Sequence, residues 1–343
     1  MSLLFPSPTS GLFGRRLRSE RGARIPVTVV SGFLGSGKTT LVKHFLGRPE
    51  GAGTAVVVNE FGEVGIDDAL LRASAEKTVL LGNGCLCCNT RSDLQVALRR
   101  LVAERQRGAV SHFRRIVIET SGLADPSPIL TTFVTDRALA GEFHVEAVAT
   151  VVDAVRGEAT LEERGEARRQ AMLADRLVLS KADLTEASAI KQLTNRLRVL
   201  NPRADILIAD HGAIDPRGLT EPAQSLCAGV FTAEATHADD IRSFVLCEDQ
   251  PIAWDALART IEMLIALRGA DLLRVKGLVN VRGARGPVVV QVVGHLAHPP
   301  IELTAWPDAN HRTRVVFITR GVTERQVGDL FAAMRGLAGG RAD

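Results

Sequence analysis

Eight residues near the start of the chain, Gly32-Phe33-Leu34-Gly35-Ser36-Gly37-Lys38-Thr39, fit the pattern G-x-x-x-x-G-K-[ST]. The β-rich run Val27–Val30 enters this segment and a helical pattern leaves it. Glycines let the backbone turn tightly enough for its N–H groups to surround phosphates. The helix that follows adds the positive end of its dipole. Lys38 then reaches the β- and γ-phosphates, and the Thr39 hydroxyl ligates Mg²⁺. The chemistry of this loop is the binding of a nucleoside triphosphate with magnesium.

Two further segments extend that chemistry. Ile116-Val117-Ile118-Glu119-Thr120-Ser121-Gly122 is an apolar strand that ends in an acid, small polar residues and glycine. Glu119 is placed to hold the magnesium, and the Gly122 N–H to meet the γ-phosphate and respond to its loss. Leu177-Val178-Leu179-Ser180-Lys181-Ala182-Asp183 resembles N-K-x-D, the guanine-reading motif of GTPases. A carboxylate at Asp183 accepts two hydrogen bonds from guanine, a pair of donors that adenine lacks, so the base is expected to be guanine. The stem of Lys181 is expected to lie along the base. Ser180 stands where asparagine is usual, and losing one hydrogen bond there is expected to soften discrimination by about 1 kcal/mol. A kinase using ATP is the reading that Asp183 argues against.

The third constellation is different. Gly84-Cys85-Leu86-Cys87-Cys88 places three thiols within four positions. Three thiolates converge readily on a borderline cation such as Zn²⁺, with a fourth position left for another ligand or a receiving protein. Glu63, just beyond the second strand, is a candidate carboxylate ligand. Neighbouring thiols also form sulfenic acids and disulfides, so a redox sensor is the alternative. Cys227 and Cys247 stand alone and are expected to serve packing. His295 and His298, in a loop before two prolines, are expected to be incidental.

These segments must be positioned by something. Short β-branched runs at Pro26–Ser31, Thr54–Asn59, Arg115–Glu119, Val145–Val152, Arg176–Ser180 and Asp205–Ala209 alternate with helical patterns at Thr39–Leu46, Arg91–Glu104 and Ala187–Leu200. Such alternation predicts an α/β domain with a mainly parallel sheet, whose ligands bind at the carboxyl ends of the strands. All three motifs of the nucleotide site fall at such ends. After about Leu226 the pattern changes. Strands Asp240–Cys247, Leu272–Val281, Pro287–Val293 and Thr313–Thr319, with helices Ala253–Leu267 and Glu324–Arg335, predict a smaller α+β domain with antiparallel pairing. The expected organisation is a flexible basic tail at 1–24, a nucleotide-binding domain at 25–226 and a C-terminal domain at 239–337.

Composition narrows the function further. The net charge is +3 over 343 residues, and the tail alone, with five arginines against Glu20, carries about +4. The body is therefore near neutral, and with tyrosine absent and aromatics at 4% it offers no base-stacking surface. Neither nucleic acid nor a membrane is an expected partner, because no apolar run approaches the length of about 18 residues that a span requires. Five cysteines, three of them clustered, suit a reducing compartment such as the cytoplasm rather than a disulfide framework.

Taken in order, Gly32–Thr40, Asn59–Asp67, Gly84–Cys88, Glu119–Pro126 and Ser180–Asp183 resemble the CobW-like GTPases. Leu273-Arg274-Val275-Lys276-Gly277, Trp306 and Phe317-Ile318-Thr319-Arg320-Gly321 resemble that family's C-terminal domain. The resemblance covers about residues 25–337 and adds Thr40 to the nucleotide-binding set. It implies a P-loop metal chaperone that binds GTP, Mg²⁺ and Zn²⁺, or another divalent ion such as cobalt. It also implies delivery of that metal to a client apo-metalloprotein, coupled to GTP hydrolysis. The sequence departs from the family pattern at Ser180 and in lacking a His-rich segment.

Overall fold

The computed structural model describes residues 24–59, 79–80, 91–110, 112–201, 204–209, 211, 213–215, 219, 235–236, 241–293, 296–297, 300–306 and 309–339. They fall into two compact units, Arg24–Ser225 and Leu226–Asp343.

The first unit is built on β1 (Ile25–Ser31), β2 (Thr54–Asn59), β3 (Val79–Leu80), β4 (Arg115–Thr120), β5 (Phe143–Asp153), β6 (Arg176–Ser180) and β7 (Asp205–Ile208). These seven strands form one sheet in the order β3-β2-β4-β1-β5-β6-β7, and every pairing is parallel. Strands sealed on both faces read as continuous apolar runs, and β6 is buried at all of its residues. Helix α1 (Lys38–Leu46) lays Leu41, Val42 and Phe45 on one face of the sheet, against Val30, Val56, Val117 and Val151. The opposite face is covered by Leu161, Ala167, Ala171, Leu193 and Leu197 from helices α5 (Gly157–Glu163), α6 (Gly165–Leu173) and α7 (Ala187–Leu200). Helix α2 (Arg91–Gln106) buries Leu94, Ala97, Leu98 and Leu101, a three-four spacing that forms a single stripe.

The α/β expectation holds, and the longer elements of this unit lie within two residues of their expected bounds. Helices α3 (Ser127–Thr135) and α4 (Arg137–Glu142), with α5 and α6, were not expected from the sequence. Each is nine residues or fewer, too short to display a clear apolar period. Asp136 starts α4 by accepting hydrogen bonds from Ala138 N and Leu139 N.

The second unit carries β8 (Ala235–Thr236), β9 (Ile241–Glu248), β10 (Leu272–Val279), β11 (Val288–Val293), β12 (Leu296–Ala297), β13 (Ile301–Glu302) and β14 (Thr313–Arg320). They pair antiparallel in the order β12-β11-β10-β14-β9-β8, with β13 on β11. Helices α8 (Trp254–Arg268) and α9 (Glu324–Gly339) supply Leu257, Ile261, Val327 and Phe331 to a core shared with Val275, Val290, Val315 and Phe317. Phe244 and Phe317 stack with centroids 5.4 Å apart across β9 and β14. Cys247, expected in the core, is exposed. It comes late on a sheet strand whose alternation turns it outward. Cys227, His295 and His298 lie outside the described residues.

Candidate functional site

The register of the parallel sheet assembles the site. Val30 on β1 pairs with Glu119 on β4, so the acidic strand end stands beside the strand that feeds the glycine loop. Across that loop, Thr39 Oγ1 donates a 2.6 Å hydrogen bond to Glu119 Oε1. Glu119 is 2% exposed. A threonine hydroxyl and a carboxylate side by side form an oxygen-donor pair of the kind that magnesium takes.

Gly32 adopts φ 142°, and a Cβ there would stand 2.3 Å from the Val151 carbonyl oxygen. Only glycine fits between the loop and β5. Gly35 and Gly37 also have positive φ. Lys38 Nζ donates to the carbonyls of Gly32 at 2.9 Å and Phe33 at 3.3 Å, which folds the side chain over the loop. Gly122 approaches from the next strand end. A Cβ on it would lie 2.7 Å from Leu34 N and 2.8 Å from Leu34 Cα, so its backbone rests directly on the loop. Thr40 is exposed on the first turn of α1.

The segment Ser180–Asp183 is tied to the same loop. Ser180 Oγ donates to the Ser36 carbonyl at 2.6 Å, with Val152 O at 3.3 Å. Far from leaving a gap in place of asparagine, the serine forms a buried contact with the phosphate loop. Lys181 Nζ donates to Gly35 O at 2.8 Å. Asp183 Oδ2 lies 3.3 Å from His211 Nδ1.

Three participants escaped the sequence reading. Gln170, buried on α6, donates through Nε2 to Gly122 O at 3.1 Å and Ala124 O at 2.9 Å, and so fixes the segment after Glu119. His211 beside Asp183 has no local sequence signal. Asp153 has one: Val151-Val152-Asp153 is an apolar strand ending in an acid, as Ile118-Glu119 is. A cavity of about 120 Å³ adjoins the loop, lined by Ser36, Thr150, Asp153, Arg156 and Gln170 among others.

The glycine loop, the Thr39–Glu119 hydroxyl–carboxylate pair and the Asp183 carboxylate thus gather at the carboxyl ends of the strands of one sheet. That arrangement can hold a phosphate chain with a divalent cation at one end and a purine at the other. Glu63, Cys85, Cys87 and Cys88 lie outside the described residues, and among the described residues no three metal-ligating side chains cluster. No helix among the described residues is long and apolar enough to cross a membrane.

Comparison with known proteins adds to this geometry. Residues 26–208 match the family model described as CobW/HypB/UreG, nucleotide-binding domain, and residues 241–335 match the cobalamin synthesis protein cobW C-terminal domain. The chain is 34% identical to the zinc chaperone YjiA of Escherichia coli (strain K12), across 91% of this chain and 99% of the relative. It is 31% identical to the zinc chaperone CobW of Pseudomonas aeruginosa, across 88% and 90%. A crystal structure of Zn(II)-bound YjiA GTPase from E. coli superposes with a TM-score of 0.67 at 29% identity, covering 91% of this chain and 99% of that one.

Proposed function

The chain belongs to the CobW family of P-loop GTPases, and on that premise we propose that it is a GTP-hydrolysing zinc chaperone that hands its metal to an apo-metalloprotein. Relatives named zinc chaperones, matched along nearly their whole length, support the chaperone reading.

Residue roles follow from chemistry. Backbone N–H groups from Gly32 to Thr40 surround the phosphates, and Lys38 exchanges its loop carbonyls for phosphate oxygens. Thr39 and Glu119 hold Mg²⁺, which when bound offsets negative charge on the β- and γ-phosphates. The Gly122 N–H senses the γ-phosphate, on a segment that Gln170 holds in place. Asp183 reads guanine, while Ser180 and Lys181 lock that reading to the phosphate loop. Cys85, Cys87 and Cys88, with Glu63, carry the zinc, and their incomplete sulfur set suits a metal that must be released. Another divalent ion such as cobalt is the competing cargo.

The observation that carries the coupling is a register pair. β2 ends at Asn59, opposite Thr120 and one position beyond Glu119. The segment bearing Glu63 therefore begins beside the magnesium carboxylate, while the three cysteines follow β3, which pairs with β2 on the side away from β4. Contacts of the γ-phosphate can order such a segment, and hydrolysis can release it.

The test has two steps. Protein purified under reducing conditions is expected to hold stoichiometric zinc that Cys87→Ser loses. Zinc affinity is then compared with a non-hydrolysable GTP analogue and with GDP. Equal affinities and equal transfer rates to an apo-protein acceptor would overturn the coupling. Absence of zinc, with rapid disulfide formation, would overturn the chaperone reading in favour of a redox sensor.

A further inference from the structure

Lys181 has φ 56° and ψ 29°, a left-handed backbone on a residue with a long side chain. Such conformations persist only where the surroundings over-determine them, and they concentrate at functional sites. The surroundings here are specific. Asp153 and Ser180 are register partners across β5 and β6, and Ala154 N donates to Ser180 O at 2.8 Å. Asp153 Oδ2 then accepts from Lys181 Nζ at 2.6 Å. The same ammonium donates to Gly35 O in the phosphate loop.

The two carboxylate oxygens of Asp153 do different work. Oδ1 accepts from Val155 N at 2.8 Å and Arg156 N at 3.2 Å, which shapes the turn after β5. Oδ2 is directed at Lys181. A charge-assisted hydrogen bond of this length is among the stronger ones available to a protein, and Asp153 is well shielded, with its side chain 13% exposed. Loop shape alone would require only Oδ1.

We propose that Asp153 is a positioning residue for nucleotide binding, holding Lys181 in its left-handed conformation so that one ammonium clamps the phosphate loop to the base-reading segment. The proposal rests on the reading that this site binds GTP. The role assigned to Asp153 is exerted through Lys181 rather than by contact with phosphate or base. Its loss is therefore expected in the affinity for GTP and GDP alike, because the clamp joins parts common to both complexes, and not in the chemical step.

The test is a double-mutant cycle on the full chain. Asp153→Asn keeps an oxygen for Val155 and Arg156 but turns an amide N–H₂ toward the Lys181 ammonium, so donor faces donor. If it does not fold, Asp153→Ser, which also keeps an acceptor for those amides, takes its place. Dissociation constants are measured with fluorescent GDP and GTP analogues, and KM and kcat with GTP. Asp153→Asn is expected to raise both dissociation constants and KM by about tenfold, the scale of one charged hydrogen bond. The change in kcat is expected to stay within about twofold. Lys181→Met is expected to raise both dissociation constants and KM on the same scale, and Asp153→Asn in that background to add nothing. Wild-type affinity in Asp153→Asn, or effects that multiply in the double variant, would overturn the proposal. A wild-type protein that binds neither guanine nucleotide would overturn the GTP reading beneath it.

Discussion

Ser180 and Ser36, separated by 144 positions, are joined by a 2.6 Å hydrogen bond in which the Ser180 hydroxyl donates to the Ser36 carbonyl. Both residues are buried. The bond fixes the distance between the end of β6 and the glycine loop, the parts proposed to meet the base and the phosphates. Removing it with Ser180→Ala leaves the Ser36 carbonyl without this donor in a dry environment, a loss of about 1–2 kcal/mol. GTP affinity is expected to fall by roughly tenfold. Ser180→Asn is expected to bind GTP at least as well as wild type, because its amide also has a donor for Ser36 O. Titrations with GTP and ATP check both variants.

On the proposed assignment, Thr39 and Glu119 set the magnesium requirement. Thr39→Ala and Glu119→Gln are each expected to slow GTP hydrolysis by about 100-fold, the scale on which removal of one charge-stabilising group acts. Glu119→Gln is further expected to shift the Mg²⁺ concentration for half-maximal rate upward. A magnesium titration of phosphate release measures this, and an unshifted curve for Glu119→Gln contradicts the assignment.

Gly122→Ala tests the contact between the acidic strand end and the phosphate loop. The new Cβ would collide with Leu34 N and Cα, which are backbone atoms that shortening the Leu34 side chain does not move. Hydrolysis is expected to be lost, and the double variant Leu34→Ala, Gly122→Ala is expected not to recover it. Recovery would show that the crowding comes only from the Leu34 side chain.

Asn201 offers a stability test away from the nucleotide. Its Nδ2 donates to the carbonyls of Ala171, Met172 and Ala174, and its Oδ1 accepts from Ala204 N. At 1% exposure this is a fully buried amide that closes the end of α6. Asn201→Leu strands those groups and is expected to cost about 2–3 kcal/mol, read as a lower midpoint in urea. Hydrolysis by the folded fraction is expected to be unchanged.

Cys247 provides a chemical control for the clustered thiols. Although the residue is exposed, partial burial of its sulfur pushes the thiol above the usual cysteine range, while Arg312 and Arg314 act in the opposite sense. A raised pKa means less thiolate at neutral pH, and so slower alkylation, with the rate still climbing where an ordinary cysteine has levelled off. Mass-spectrometric alkylation rates between pH 7 and 10 check this. Cys247 is expected to lag a free thiol throughout the lower part of that range.

Much of this protein is readable without coordinates because its chemistry is local. The phosphate loop is eight consecutive residues whose glycines and lysine act within one turn of chain, so Gly32–Thr39 declares itself by type and spacing. The strands declare themselves because burial on both faces demands unbroken apolar runs such as Ile116–Ile118 and Leu177–Leu179. The antiparallel C-terminal unit follows from short connections such as that between β10 and β11, too brief for a crossover helix.

What the linear order could not decide is which strand ends become neighbours. The sheet places β1 between β4 and β5, so Thr39 meets Glu119 across 80 positions and Gly32 presses on Val151. The same register sets Asp153 against Ser180 and gives Lys181 a carboxylate partner that spacing alone does not reveal. Ser180 reads in the sequence as a lost hydrogen bond, and only its distance to Ser36 shows the bond that it makes. The physical reason is that backbone conformation and burial leave periodic traces along a chain. Pairing between distant parallel strands depends on how the whole sheet packs, and no short segment carries that information.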